Sequence, residues 1–294
     1  MRGGVYALGN FDGVHKGHQA VILAAQKKAE ELGLNAYALT FEPHPRHFFQ
    51  PNQPSFRLTP PDVKIRLLKA LGIKEIIVLP FDETLASMPA KTFVEKILID
   101  RFQARHIVAG HDFVFGHGRD GNMAKLSSFL KEKGIGTTEV DDLGDDGESF
   151  SSTRVRELLL EGNPEAAAEV LGRPWTLEGP VVKGAGIGGK GLGFPTLNLD
   201  LNGYLRPKFG VYTVRAGRAG EPLAYRGVAN IGLRPTVDGK SENLEAYLFD
   251  FDETVYGETW CFALMRFLRP EKKFDSLADL KKQIEEDIIQ AKKA

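Results

Sequence analysis

The chain holds a single cysteine, Cys261, so no intramolecular disulfide can form. That poverty fits a reducing compartment, and the cytoplasm is the expected location. Long apolar runs are missing as well. No segment approaches the roughly 20 apolar residues of a membrane-spanning helix, so no membrane is expected as a partner. Neither sign of charge is in excess: 38 Lys and Arg stand against 39 Asp and Glu, a net charge of −1. Such a balance gives no overall field to attract nucleic acid or an anionic surface, and nucleic acid is not expected as a partner either. The opening MRGGVYALGNFDG lacks the charged-then-apolar layout of a secretion signal. It runs straight into a strand pattern, which leads to an expectation of further native residues upstream. There is no internal repeat, and the glycine-dense stretch 183–193 is too short for a disordered linker.

What is present points to two domains. A chain of 294 residues accommodates two units of roughly 100–200 residues each, either able to bury its own core. From residue 4 to about 172, apolar runs alternate with helical patterns. Strands are expected at 5–8, 35–41, 75–79, 106–109 and 137–140, with helices at 19–32, 61–71, 89–102 and 123–133 between them. Strand–helix alternation of this kind implies βαβ units and a parallel sheet covered on both faces. Two more helices, 152–161 and 164–171, close the first half. After Gly172-Arg173-Pro174 the pattern changes to short β-type runs, such as 211–214, 225–231, 244–251 and 259–267, split by Gly, Pro and Asn clusters. That reads as a small antiparallel barrel followed by one amphipathic helix, 277–291. The expected domains are therefore 1–172 and 175–294.

The first half carries its sharpest signal in Gly9-Asn10-Phe11-Asp12-Gly13-Val14-His15-Lys16-Gly17-His18, where the first strand runs into the first helix. Ligands of parallel α/β sheets bind at the carboxyl ends of strands. A helix N-terminus there offers free N–H groups and the positive end of a dipole, and glycines let the backbone approach a phosphate closely. His15 and His18 lie three residues apart and face the same way, placed to donate hydrogen bonds to phosphate oxygens as charge develops. The blander alternatives are capping or surface histidines, or a zinc pair; the absence of any nearby thiol argues against zinc.

This segment resembles the nucleotide-binding signature of bacterial FAD synthetases, within the nucleotidyltransferase superfamily that carries an H-x-G-H motif. Three further segments match that family in order: Thr40-Phe41-Glu42-Pro43-His44-Pro45; Gly110-His111-Asp112-Phe113-Val114-Phe115-Gly116 with Arg119 and Gly121 behind it; and Ser151-Ser152-Thr153-Arg154-Val155-Arg156. The resemblance implies that Gly9, Asn10, Phe11, Asp12, Gly13, Gly17, Phe41, Pro43, Gly110, Asp112, Arg119, Ser151, Ser152, Thr153, Arg154 and Arg156 line the nucleotide and flavin sites. It further implies attack of an FMN phosphate oxygen on the α-phosphorus of ATP, with His15, His18, Ser152 and Arg156 as donors to the leaving pyrophosphate and magnesium accompanying ATP. His47 reads as a surface residue.

In the second half the run 183–198 ends in Gly193-Phe194-Pro195-Thr196-Leu197-Asn198. It is not a Walker loop, because Lys190 is followed by neither Ser nor Thr and no helical pattern follows. It resembles the G-F-P-T-A-N signature of riboflavin kinases, with Leu197 in place of the usual alanine and Lys190 in place of the usual arginine. Thr196 and Asn198 offer hard oxygen ligands for magnesium carrying ATP, and the resemblance implies ATP contacts at Gly186, Gly188, Lys190, Gly193 and Pro195. Later segments match riboflavin kinase in order: 210–212, 230–236, 244–251, 255–257, 268–271 and 273–274. Glu245, on an expected strand between apolar neighbours, is the candidate general base for the riboflavin 5′-hydroxyl. Asp250 and Asp252 read as turn charges. Arg269 and Phe274 either border the flavin pocket or pack. The expected fold is a Rossmann-like α/β domain followed by a six-stranded antiparallel barrel with a C-terminal helix. The expected function is a bifunctional riboflavin kinase and FMN adenylyltransferase. The alternatives are an adenylyltransferase with an inactive barrel and a flavin-binding regulator. Transient self-association is left open.

Overall fold

The computed structural model describes residues 3–145, 147–184, 193–236 and 239–293, without side chains at 234–236 and 239–241. It divides into two compact units: residues 1–54 with 59–152, and residues 55–58 with 153–294.

In the first unit, strands β1 (Val5–Leu8), β2 (Ala36–Glu42), β3 (Glu75–Pro80), β4 (His106–Gly110) and β5 (Gly136–Val140) form one parallel sheet in the order β3-β2-β1-β4-β5. Side chains of a strand alternate between faces, and β1 shows what this does. Tyr6 and Leu8 enter a cluster with Tyr37, Leu39, Ile107 and the residues Phe93, Val94, Leu98, Met123 and Leu126. Val5 and Ala7 enter the opposite cluster, with Val21, Ile22, Ala25 and Leu68. Helices α1 (Lys16–Leu32), α2 (Pro45–Phe49), α3 (Pro61–Ala70), α4 (Glu83–Ala86), α5 (Ala90–Thr92) and α6 (Met123–Lys131) connect the strands. α1 stops where Gly33 takes the left-handed conformation, φ 64°. The helix expected over 89–102 is α5 followed by a π-helical stretch, Phe93–Arg101, whose wider turn carries Phe93, Val94 and Leu98 onto the sheet.

α7 (Ser152–Glu161) and α8 (Pro164–Leu171) follow the sequence expectation. From Thr153 onward they group with the barrel. The second unit's strands are β6 (Trp175–Val182), β7 (Leu197–Asp200), β8 (Gly210–Arg218), β9 (Tyr225–Thr236), β10 (Gly239–Leu248) and β11 (Thr259–Pro270). They close into a six-stranded barrel in the order β8-β9-β10-β7-β6-β11, with every ladder antiparallel. The expected strand 244–251 ends at Leu248, because Asp250 turns the chain with φ 55°. Helix α9 (Leu277–Lys293) packs Ile288 and Ala291 on Val211 and Val228 outside the barrel. Segment 55–58 is tied to this unit by Trp175 Nε1–H donating to the Leu58 carbonyl at 2.9 Å.

Candidate active sites

The loop from Gly9 to His15 leaves the carboxyl end of β1 and enters α1. It does not relax into ordinary backbone: Phe11 and Val14 hold φ values of 53° and 46°, both left-handed. That region is costly for a non-glycine residue, and most of all for a β-branched one. Burial holds the strain in place, since Phe11 is 0 % and Val14 2 % exposed within the α1-side core. Polar contacts pin the loop from three directions. The Asn10 carbonyl accepts from Thr40 Oγ1 at 3.1 Å and from Lys64 Nζ at 3.3 Å. Asp12 Oδ1 accepts from the Thr59 amide at 3.0 Å, and Thr59 Oγ1 accepts from the Gly13 amide at 3.0 Å. The Ser152 hydroxyl donates to the Asp12 carbonyl at 2.8 Å.

His15 is the N-cap of α1, with Nδ1 accepting from the His18 amide at 3.4 Å. The His15 and His18 rings also stack with centroids 3.6 Å apart, and Phe11 makes a T-shaped contact with the His18 ring at 5.3 Å. Gly17 leaves room for this arrangement, since a Cβ there would stand 3.1 Å from the His15 ring. The first turn of α1 carries no acidic residue. Among the described residues no cluster of His, Cys, Asp and Glu has the makings of a metal centre.

The other sequence candidates of this unit fall into different settings. Phe41 is buried and packs its ring against Phe81 and Phe93. Pro43 is exposed just beyond β2, and His44 caps α2 by accepting from the Arg46 amide at 3.1 Å. His47 is exposed, as expected. Phe48 and Phe49 cluster with Phe81 near the ends of β2 and β3, and Phe49 is 64 % exposed. Gly110 ends β4, where a Cβ would stand 3.0 Å from Asp112 Oδ1. Asp112 and Arg119 are exposed, Arg119 with φ 60°. Ser151 is half-buried. On α7, Thr153 is exposed and Arg154 half-buried, and Arg156 Nε–H donates to the Phe56 carbonyl at 2.8 Å; these three belong to the second unit.

Sequence reasoning passed over Lys64. In the pattern of α3 a lone lysine reads as solvated, yet Lys64 is 2 % exposed and pairs with Glu42 at 2.7 Å. Only its tertiary contacts with Thr40 and Glu42 of β2 reveal this, although those two residues already stood inside a recognised segment.

In the barrel, Asn198 on β7 lies opposite Glu245 on β10, and Glu245 lies opposite Asn230 on β9. Leu244, Ala246 and Leu248 are buried, whereas Glu245 and Tyr247 are half-exposed on the other face of β10. Glu245 is thus half-exposed on the face opposite the apolar residues, beside the buried Asn243 and Asn198. Asn243 Nδ2 donates to both Asn198 Oδ1, at 3.3 Å, and Glu245 Oε1, at 3.1 Å. Asn198 Nδ2 points to Thr196, at 3.3 Å from its carbonyl and 3.4 Å from its hydroxyl. Gly184 allows this, since a Cβ there would sit 2.4 Å from Asn198 Nδ2. Gly193 and Pro195 are exposed just ahead of β7. Gly186, Gly188 and Lys190 lie outside the described residues. Gly232 admits the Glu271 carboxylate, which accepts from Asn230 Nδ2 at 3.4 Å. Thr196 and Asn198 supply hard oxygen atoms beside a carboxylate, a donor set that suits magnesium arriving with its own waters and phosphates. Arg269 packs on α9, its guanidinium meeting Asp287 at 2.9 and 2.7 Å.

Comparison with known proteins follows the same division. The FAD synthetase family matches residues 1–154, and the riboflavin kinase family matches residues 171–294. The chain is 37 % identical to the bifunctional riboflavin kinase/FMN adenylyltransferase of Haemophilus influenzae over 99 % of its length and 94 % of that protein. With the Bacillus subtilis protein of the same description it shares 39 % identity over 96 % of its length and 90 % of the relative. A crystal structure described as a macrolide-efflux protein from Streptococcus pneumoniae superposes with a TM-score of 0.87 and 32 % identity, covering 99 % of this chain and 94 % of that one. Among the described residues of the present chain no helix is long and apolar enough to cross a membrane.

Proposed function

The chain belongs to the family of bifunctional riboflavin kinases/FMN adenylyltransferases, and from that premise we propose how its residues carry the two reactions. The enzyme phosphorylates riboflavin to FMN in its C-terminal domain and converts FMN to FAD in its N-terminal domain. The paired His15 and His18 in the first unit and the Asn198, Asn243 and Glu245 contacts in the second support the assignment of residues most directly.

In the first unit an FMN phosphate oxygen attacks the α-phosphorus of ATP, the bond to the β-phosphate bridging oxygen breaks, and pyrophosphate departs. Such a displacement needs in-line positioning and donors for the charge that builds on the leaving group. His15 and His18 stand at the positive end of α1, where pyrophosphate charge is best stabilised. The N-terminal end of α1 that the loop leads into suits the phosphates. The exposed ring of Phe49, backed by Phe48 and Phe81, gives a planar flavin an aromatic surface.

In the second unit Glu245 takes the proton of the riboflavin 5′-hydroxyl while the γ-phosphoryl group of ATP passes to that oxygen and ADP leaves. Asn243 holds the Glu245 carboxylate in place. Thr196 and Asn198 would hold magnesium, which when bound neutralises charge on the transferring phosphates. The single cysteine and the use of ATP and free flavins support a cytoplasmic location.

The direct test is to incubate the purified protein with riboflavin, ATP and magnesium and to separate the flavins over time. Riboflavin should fall, FMN should rise and pass through a maximum, and FAD should accumulate. FMN that accumulates with no FAD would remove the adenylyl-transfer assignment, and inert riboflavin would remove the kinase assignment. Omitting magnesium should abolish both steps.

A further inference from the structure

A buried cation lies directly behind the nucleotide loop. Lys64 Nζ donates to Glu42 Oε1 at 2.7 Å, to Thr40 Oγ1 at 3.1 Å and to the Asn10 carbonyl at 3.3 Å. Lys64 is 2 % exposed, and Glu42 is 15 % exposed at its side chain. An ion pair this deep gives up much hydration and is a poor way to gain stability compared with apolar packing. What it does supply is fixed geometry. Three elements meet at the ammonium: α3 through Lys64, β2 through Thr40 and Glu42, and the loop through Asn10.

The consequences run along the loop toward the histidines. A trans peptide is planar, so holding the Asn10 carbonyl on Lys64 and Thr40 fixes the peptide plane that leads into Phe11. Phe11 sits at φ 53°, a conformation it would leave without support. In that conformation its ring turns back over Gly9, where a Cβ would stand 2.9 Å away, and it meets the His18 ring in a T-shaped contact, 5.3 Å between centroids. His18 in turn stacks on His15 at 3.6 Å. The series Lys64, Asn10, Phe11, His18 is one continuous set of contacts within the first unit.

We infer that Lys64, paired with Glu42, is a positioning residue for adenylyl transfer: it does not touch substrate but sets the rotation of the Asn10–Phe11 peptide that aligns His18. This rests on the reading of the first site as the place of FAD formation. A group that aligns a transition-state donor acts on turnover more than on ground-state binding.

The experiment uses the full chain. Removing Lys64 alone would take this ion pair from the half-buried Glu42 carboxylate, so the test variant is Lys64→Met with Glu42→Gln, which removes both charges and keeps the volume. FAD formation from FMN and ATP with magnesium is measured as kcat and KM, and riboflavin phosphorylation is measured in the same preparation as a control on the other domain. The expected result is a fall in kcat of roughly 10- to 100-fold, with KM for ATP changed by less than about threefold and kinase turnover unchanged. Imidazole ¹H–¹⁵N spectra should show shifted His15 and His18 signals beside an unmoved His47. Unchanged kcat and unshifted His15 and His18 signals would overturn the inference. Should the double variant not fold, Thr40→Val removes only the hydroxyl shared by Asn10 and Lys64. It should lower kcat in the same direction, and Thr40→Ser should restore it; equal turnover in both would overturn the inference. Wild-type protein that makes no FAD at all would strike the underlying site assignment instead.

Discussion

Asn198 and Glu245 face each other in register across adjacent barrel strands, and Asn243 Nδ2 bridges them with hydrogen bonds of 3.3 and 3.1 Å. One side chain thus orients both the expected magnesium ligand and the expected base. We predict that Glu245→Gln, which keeps the shape and the bridge acceptor but removes the base, lowers kinase turnover by at least roughly 10²-fold. Riboflavin and ATP affinity should change little, and FAD formation from supplied FMN should survive. Turnover within about threefold of wild type, at an unchanged melting temperature, would show that the hydroxyl loses its proton by another route.

The stacked histidines allow a second separation. His18→Ala removes the ring that meets both His15 and Phe11. We predict that FAD formation slows by on the order of 10²-fold or more, because a lost donor to developing charge acts in the transition state. FMN formation, carried by the other domain, should hold its wild-type rate. Parallel loss of both activities would point instead to a folding defect, which thermal melts of the same sample would reveal.

The grouping of α7 and α8 with the barrel bears on where the chain can be cut. α8 buries Ala167, Val170 and Leu171 in the second unit. A fragment 175–294 exposes the surface that α8 covers, whereas 153–294 keeps it. We predict that both fragments convert riboflavin to FMN and neither makes FAD, with 175–294 melting lower by several degrees. Differential scanning calorimetry of the two fragments decides this, and identical melting temperatures would contradict it.

The sequence disclosed those features that rest on periodicity and on contiguous motifs. The β1 alternation, the α1 stripe ending at Gly33, and the sharp start of α7 and α8 are local patterns, and the expected fold class followed from their order. His15, His18, Thr196, Asn198 and Glu245 stand in contiguous motifs, and the sequence alone names each of them. Lys64 could not be named, because its burial comes from tertiary contacts with Thr40 and Glu42 that a single lysine on an amphipathic helix does not announce. The Thr59 contacts to Asp12 and Gly13 span more than forty positions and were hidden for the same reason. The π-helical stretch Phe93–Arg101 escaped notice because its apolar spacing over a few turns is compatible with an ordinary helix. The Arg269 ion pair with Asp287, 18 positions later on α9, was hidden for the same reason as the Thr59 contacts.

His106 provides a handle on the acid stability of the first unit. It stands on β4 at 9 % exposure, with Nε2 at 2.8 Å from Thr138 Oγ1 on β5. Gly136 lies directly against the ring, where a Cβ would be 2.4 Å from Nδ1. Burial holds the imidazole below its ordinary pKa, and the nearby Lys28 ammonium pushes the same way, with Glu31 opposing. The folded state therefore prefers the neutral ring, whereas the unfolded chain takes up a proton near pH 6.5. Above that value the contribution of His106 to stability is fully present; it is lost as pH falls from about 6.5 through the lower folded pKa, where the unfolded state binds more protons. We predict that the melting temperature of wild type drops more than that of His106→Gln between pH 7 and pH 5, by a few degrees. Glutamine retains a partner for Thr138 and has no proton to gain, so carboxylate titrations common to both proteins cancel in the difference. Parallel pH profiles for the two proteins would show that the folded protein accommodates the charged ring without cost.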